Sequence, residues 1–599
     1  MKTKDLKKEI LILLISFCLV AILAAVWDLL APFQIDNDNI YLKTIISGEM
    51  TGKSESHMLH ISVISGFLLS IFYTVFGNGI PWFGLFLCLS MALPMTAMLY
   101  FSLRKCSKIY QYVTVGLFFV LIYCTFFYRY FAKTQYTLAT GMAGAGALLL
   151  FFFISFDKSF KETLLQSIPF WIAAVWSFAI RDKAFIMLFP FLGLIILRKL
   201  ITSKDKKTIG NISFTVLVFA VIIALAALVN KAAYSNDEWK EYREYNSLRE
   251  AMIDYNGLPD YDANKDLYDE CGITRSSYEA FLYHYNIILD ENINRDTMEK
   301  LAYASRNADP DRNKGIFERA ADTVKTAVKR SILEYEDRPL NILVFALFFF
   351  AALMLVIKRK YKGLFDVLIV SAAGAFDMFY LVFNGRYPFR VTQIVFIAEL
   401  VLLFAIIVEN ELWMLERKKD KSDSSEDDPE NVRKIFNPAF AVFIIAILAV
   451  SLRFGLPVTI KEFKQAKATD EYSICFEELE DYLESHKENF YLFDMSHLYY
   501  CEDTLAFGKE PFENYVYMGS WMVNSPWYKR KLEENGIKNV AADLIEKDNF
   551  YIVYQQVDFD TRDFLDYYFD EHFPGAQLNP VDSFTSSNGF VYEILKVTR

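Results

Sequence analysis

Met58-Leu59-His60-Ile61-Ser62-Val63-Ile64-Ser65-Gly66-Phe67-Leu68-Leu69-Ser70-Ile71-Phe72-Tyr73-Thr74-Val75-Phe76-Gly77 is a mostly apolar stretch, long enough for a helix to cross a bilayer. Whether it crosses fixes the orientation of every later segment. Other apolar runs of spanning length lie near 10–31, 81–103, 109–128, 136–155, 164–180, 184–199, 211–230, 340–357, 363–383, 391–412 and 436–455. If 58–77 spans, the clusters Arg104/Lys105/Lys108, Lys158/Lys161, Arg198/Lys199/Lys204/Lys206/Lys207, Lys358/Arg359/Lys360/Lys362 and Arg417/Lys418/Lys419 all fall outside. If it does not, all of them face the cytoplasm, as the positive-inside tendency asks. His57, His60, Ser62, Ser65 and Ser70 beside Leu59, Ile61, Ile64, Leu68, Leu69 and Phe72 also suit a helix lying on the outer surface.

This reading predicts an α-helical polytopic protein of the plasma membrane with about eleven transmembrane helices, a cytoplasmic N-terminus and an outer C-terminus. Residues 1–455 form the transmembrane domain. Its first outer loop, 32–80, holds two juxtamembrane helices, about 39–49 and 58–76, parted by Gly48 and the Thr51-Gly52-Lys53-Ser54 turn. A large outer loop, 232–338, has helical patches at 242–255 and 316–333 and reads as a helical lid or docking element.

Residues 456–599 predict a small extracytoplasmic α/β domain. Helices are expected at 471–486, at 561–569 and after the Ser525-Pro526 cap as far as Gly536. Strands are expected at 490–493, 550–554 and 590–595, in a parallel or mixed sheet.

Composition agrees with a membrane class: 54% of residues are hydrophobic and 17% aromatic, proportions no soluble fold requires. The net charge of −11 hides a segregation, with acids in the two long polar stretches and Lys and Arg in the short loops; this excludes nucleic acid as a partner. Lys2, Lys4, Lys7 and Lys8 precede an apolar run too long for a signal-peptide core, so it reads as an uncleaved first span. No pair of cysteines has zinc-ligand spacing, and a Cys475–Cys501 bridge is left open. The stretch 418–432 reads as a solvated linker.

The chemistry concentrates in the first outer loop. In Phe33-Gln34-Ile35-Asp36-Asn37-Asp38-Asn39-Ile40-Tyr41, two carboxylates stand one residue apart where an apolar helix gives way to a polar loop. One of them can act as a general base, and one can cap the next helix. Basic residues in the short outer loops run against the topology tendency: Arg129 and Lys133, Arg181 and Lys183, Arg386 and Arg390. At membrane depth they suit the phosphate of a lipid, or they snorkel to headgroups. His57, His60 and Tyr41 are candidate substrate contacts. The two histidines, three apart on one helix face, leave a divalent cation open as cofactor, with Asp36 as a further ligand. Trp82, Tyr128, Tyr130 and Tyr136 either stack on a sugar or form the interfacial aromatic belt, and the belt is the favoured reading.

The chain resembles the GT-C superfamily of integral-membrane glycosyltransferases, which use polyprenyl-phosphate sugars. The likeness lies in a first span, an outer loop opening on an acidic motif, two juxtamembrane helices and a C-terminal soluble domain. Asn37-Asp38-Asn39-Ile40-Tyr41 to Ile46-Ser47-Gly48, His57, Phe72-Tyr73-Thr74-Val75-Phe76-Gly77, Ile180-Arg181-Asp182-Lys183-Ala184-Phe185 and Asn384-Gly385-Arg386-Tyr387-Pro388-Phe389-Arg390 are similar to a bacterial branch of it. That branch carries Asn-Asp-Asp at the first three positions; here the second Asp is Asn39, which makes Asp38 the heir to the acidic position, with Asp36 in reserve. The resemblance covers about 1–455. It implies a polyprenyl-phosphate-linked sugar as donor, a glycan, lipid or protein of the cell envelope as acceptor, and inversion at the anomeric carbon. A lipid or polysaccharide flippase or transporter is the rival class, but internal repeats and broken midplane helices are not detectable. A non-catalytic membrane scaffold is the third.

Overall fold

A computed structural model describes residues 3–36, 38–284, 288–307, 315–334, 336–418, 432–493, 501–507, 514–556 and 563–599. The membrane part opens with α1 (Thr3–Leu30), followed by the short strand β1 (Gln34–Asp36), α2 (Asp38–Ser47), α3 (Val63–Phe76) and α4 (Trp82–Arg104). Then come α5 (Ile109–Ile122), α6 (Tyr128–Ala132), α7 (Tyr136–Phe152), α8 (Phe160–Ile180), α9 (Asp182–Ile186), α10 (Phe189–Thr202) and α11 (Lys206–Ala233). The large loop folds into α12 (Asp237–Glu250), α13 (Lys265–Cys271), α14 (Arg275–His284), α15 (Arg295–Asn307) and α16 (Ile316–Leu333). It returns to the bundle as α17 (Leu340–Ile357), α18 (Tyr361–Phe383) and α19 (Phe389–Glu409).

Among the described residues ten helical segments are long and apolar enough to cross a bilayer; the run expected at 136–155 forms α7, 17 residues. Helix α7 is nearly all buried, because Gly141 and Gly144 let neighbours approach: a Cβ there would sit 2.6 Å from Ile394 and 2.0 Å from Leu188. It forms the centre of the bundle with α4 and α19, while α1, α5 and α11 turn Leu14, Leu117 and Leu225 outward as a lipid-facing shell. Buried Asp377 of α18 lies beside buried Glu399 of α19, whose carboxyl packs over Gly374.

The second juxtamembrane helix is shorter than expected. Ser62 caps it by accepting the N–H of Ile64, so it begins at Val63 and its 14 residues span only about 21 Å. His57 and His60 therefore precede the helix and share no helix face.

After α19, β2 (Met414–Lys418) and β3 (Val432–Phe436) pair antiparallel at the two ends of the expected linker, and 419–431 lie outside the described residues. Helix α20 (Pro438–Val450) continues through a π-turn, Ser451–Gly455, into α21 (Leu456–Glu484). The helix thus runs unbroken across residue 455, where the sequence reading puts its domain boundary. A Cβ on Gly455 would come within 2.7 Å of Thr125, in a second π-turn, Tyr123–Phe127; the two turns let these helices meet closely.

The C-terminal unit adds β4 (Phe490–Phe493), β5 (Cys501–Asp503), β6 (Tyr515–Tyr517), α22 (Pro526–Glu534), α23 (Val540–Glu546), β7 (Phe550–Gln555), α24 (Asp563–His572), β8 (Gln577–Thr585) and β9 (Val591–Thr598). Its five-stranded mixed sheet has the order β6-β4-β7-β9-β8, parallel through β7 and antiparallel beyond. The expected Ser525 cap is present, its oxygen accepting the Tyr528 N–H. Cys475 is buried and accepts from Ser586, while the Cys501 side chain lies outside the described residues.

This unit is bound to the loop 32–80. Strand β5 leaves the sheet to pair antiparallel with β1, Gln34 opposite Asp503. Lys43 on α2 pairs with Glu49 at 2.7 Å and with Glu502. Ile40, Leu42, Ile45 and Ile46 of α2 are fully buried, each contributing about 1.5–3 kcal/mol to holding α2 in the fold. The large loop also docks here: Tyr568 donates to the Leu289 carbonyl at 2.6 Å, and the Ile288 N–H to that of Met518 at 3.1 Å.

Candidate functional site

Asp38 is the first residue of α2, where the free N–H groups of a helix favour a carboxylate. Its position is set from both sides in sequence. Before it, β1 is held by β5. After it, Asn39 is buried and its Oδ1 accepts the backbone N–H of Tyr136 at 3.0 Å, tying α2 to the start of α7. The Asp38 carboxylate is half-buried; its Oδ1 accepts the indole N–H of Trp521 at 3.0 Å, and its Oδ2 accepts the Tyr136 hydroxyl at 3.5 Å.

Tyr136 connects acid to base. Its hydroxyl accepts from Arg181 Nη1 at 2.9 Å, and the guanidinium lies 4.8 Å over its ring while also donating to Thr137 Oγ1. Arg181 stands at the corner between α8 and α9, in extended conformation. Among the described residues no carboxylate forms an ion pair with it. Arg390 is near enough to bear electrostatically on the Tyr136 hydroxyl.

His60 closes this group, stacked on Tyr136 with ring centroids 6.4 Å apart and edge-on to Trp521 at 4.7 Å. Burial pushes its pKa down to about 4 against the opposing pull of Asp38, with Arg181 adding to the fall, so the imidazole is neutral at neutral pH. His60 and Arg181 also line a cavity of about 200 Å³ together with Ser62, Lys183, Arg243 and Glu250. Lys183 there is 3.5 Å from Glu250.

The other sequence candidates serve contacts of their own. His57 is held by Glu55 at 2.9 Å, reaches the Ala233 carbonyl at 3.3 Å and stacks on Trp239. Tyr41 packs edge-on against Tyr517 at 5.0 Å, and burial first, then the charge of Asp38, raises its phenol well above the usual range. Arg129 donates to the Arg338 carbonyl at 2.7 Å and, with Lys133, stands 3.9 Å from Glu462 of α21. Arg386 lies 3.8 Å from Asp254 and over the Tyr255 ring. The side chain of Asp36 lies outside the described residues. Among the described residues no three His, Cys, Asp or Glu side chains group as a metal site, and His57 and His60 point to different partners.

Tyr136, for which the sequence favours a belt over stacking on a sugar, is fully buried with Tyr128 and Tyr130 and forms no belt. Two residues of the site escape the sequence reading. Arg243 sits in a long polar loop among many charges. Trp521 follows a strand in the C-terminal unit, and nothing in the local pattern ties it to a residue 483 positions earlier.

No family model and no curated protein matches the chain. Among solved structures, ArnT from Cupriavidus metallidurans bound to undecaprenyl phosphate aligns with 96% of this chain and 97% of its own. Identity in that alignment is 12% and the TM-score 0.37.

Proposed function

We propose that the protein is a membrane glycosyltransferase that moves a sugar from a polyprenyl-phosphate donor to a cell-envelope acceptor at the outer face, with inversion. The observation that carries this is the pairing of a carboxylate, Asp38, with a guanidinium, Arg181, that has no carboxylate partner among the described residues, across one tyrosine hydroxyl.

The chemistry follows from that pairing. As the acceptor oxygen attacks the anomeric carbon, its proton passes to Asp38 Oδ2, the oxygen not engaged by Trp521. The bond from that carbon to the phosphate oxygen breaks with its electron pair, and the lipid phosphate gains charge. Arg181, with Lys183 and Arg243 in the same cavity, stabilises that charge. Neutral His60 and the Tyr136 ring border the space where a sugar would lie, and Arg390 adds positive potential beside it. Asp36 is the reserve base, and Arg386, Arg129 and Lys133 steer or frame the lipid at the membrane surface. The basic clusters of the short loops support an outward orientation of this face.

Purified protein incubated with a panel of polyprenyl-phosphate sugars and envelope glycan acceptors is expected to release polyprenyl phosphate from at least one. Absence of release across the panel, with uncompensated lipid movement across proteoliposomes instead, would move the protein to the flippase class.

A further inference from the structure

The C-terminal unit does more than cover the outer face. Between β6 and α22 the loop 518–525 carries Trp521 into the catalytic group, buried, with its indole N–H on Asp38 and its ring against His60. The loop is fixed on every side. Tyr528 donates to the Tyr517 carbonyl at 2.6 Å, the Met518 carbonyl accepts from Ile288, and the Trp521 carbonyl accepts from Tyr242 of the large loop. Ser520 and Asn524 flank the tryptophan with φ of 73° and 66°, a left-handed conformation that side chains other than glycine adopt at a cost. Strain held in place on both sides of one side chain implies that its placement matters.

We propose that Trp521 is the positioning residue of the general base: its N–H occupies Asp38 Oδ1 and so fixes the orientation of Oδ2, which accepts the Tyr136 hydroxyl at a long 3.5 Å and keeps a second lone pair for the acceptor proton. The proposal rests on the reading of Asp38 as base. An indole N–H is a donor only, so it orients the carboxylate without competing for the proton. A carboxylate left to rotate would offer either oxygen in turn and lose alignment with the anomeric carbon. The unit 456–599 is on this account part of the active site.

The test separates the N–H from the bulk of the ring. Trp521 is replaced by benzothienylalanine, which has the same shape with sulfur in place of N–H, and by phenylalanine (Trp521→Phe). Asp38→Asn is assayed alongside, with the polyprenyl-phosphate sugar that the panel identifies. Both Trp521 replacements are expected to lower kcat about tenfold or more with donor KM unchanged. Wild-type kcat in the benzothienylalanine protein overturns the proposal, and does so without touching the base if Asp38→Asn is inactive. Wild-type kcat in Asp38→Asn overturns the base and the proposal together. A rise in KM with unchanged kcat would make Trp521 a binding surface, which also overturns it.

Discussion

Asn39 Oδ1 accepts the backbone N–H of Tyr136 at 3.0 Å, so the residue beside the proposed base fastens the loop 32–80 to the central helix. Removing that acceptor strands a buried N–H, which costs about 1–3 kcal/mol. Asn39→Ala should lower the unfolding temperature of the detergent-solubilised protein. Asn39→Asp keeps an acceptor and should lower it less; equal losses would show that the amide's other contacts dominate.

Asp38→Asn keeps the size of the side chain and an oxygen for the Trp521 N–H, so expression and thermal stability should hold. An amide cannot take the acceptor's proton, and losing a general base typically costs about 10²–10⁴ in rate. Asp36→Asn should be impaired but measurable. A dead Asp36→Asn beside an active Asp38→Asn would reverse the assignment.

Arg181→Ala should weaken donor binding about ten- to a hundredfold, the worth of a charge-assisted contact to phosphate. Arg386 stands beside Asp254 and Tyr255, so Arg386→Ala should weaken binding less. Unchanged donor affinity in both variants would leave these side chains as framework only.

His60 gives a pH dependence with a defined sign. Its ordinary value is 6.5 and burial brings it to about 4. Between these values the unfolded chain binds a proton that the folded protein does not, so stability falls as pH drops from 6.5 towards 4. His60→Gln should flatten part of that fall, read as unfolding temperature against pH; parallel curves for the two proteins would exclude the contribution.

Single cysteines at Ser56 and Gly79, in a background without native cysteines, flank α3. Both should react with an impermeant thiol reagent from outside, since α3 is too short to cross. Labelling at one position only would invert every later segment.

Much of the frame was legible because spanning helices announce themselves by length and apolarity, and because caps such as Ser525-Pro526 act locally. Strand β7 and helices α16 and α24 fall close to their expected places for the same reason. The 58–76 helix was misjudged at its start, where Ser62 rather than hydropathy sets the boundary. Strands β1, β5 and β6, three residues each, are too short to show a period; each exists through its partner. Within the site, Asp38 and Arg181 stood out as charges in unusual places. Tyr136 and Trp521 did not, because a buried aromatic residue looks the same in sequence whether it packs or orients.

The pairing of β1 with β5 joins the 34th residue to the 503rd, and Asp38 waits on a tryptophan 483 positions further on. At about 5–20 residues per second, a ribosome makes that interval in roughly 25–100 s. Throughout it β1 stands without its partner strand and the Asp38 carboxylate without its indole N–H. Because the last piece to emerge is the one that supplies both, a stalled product would lack the contacts that hold this part of the fold.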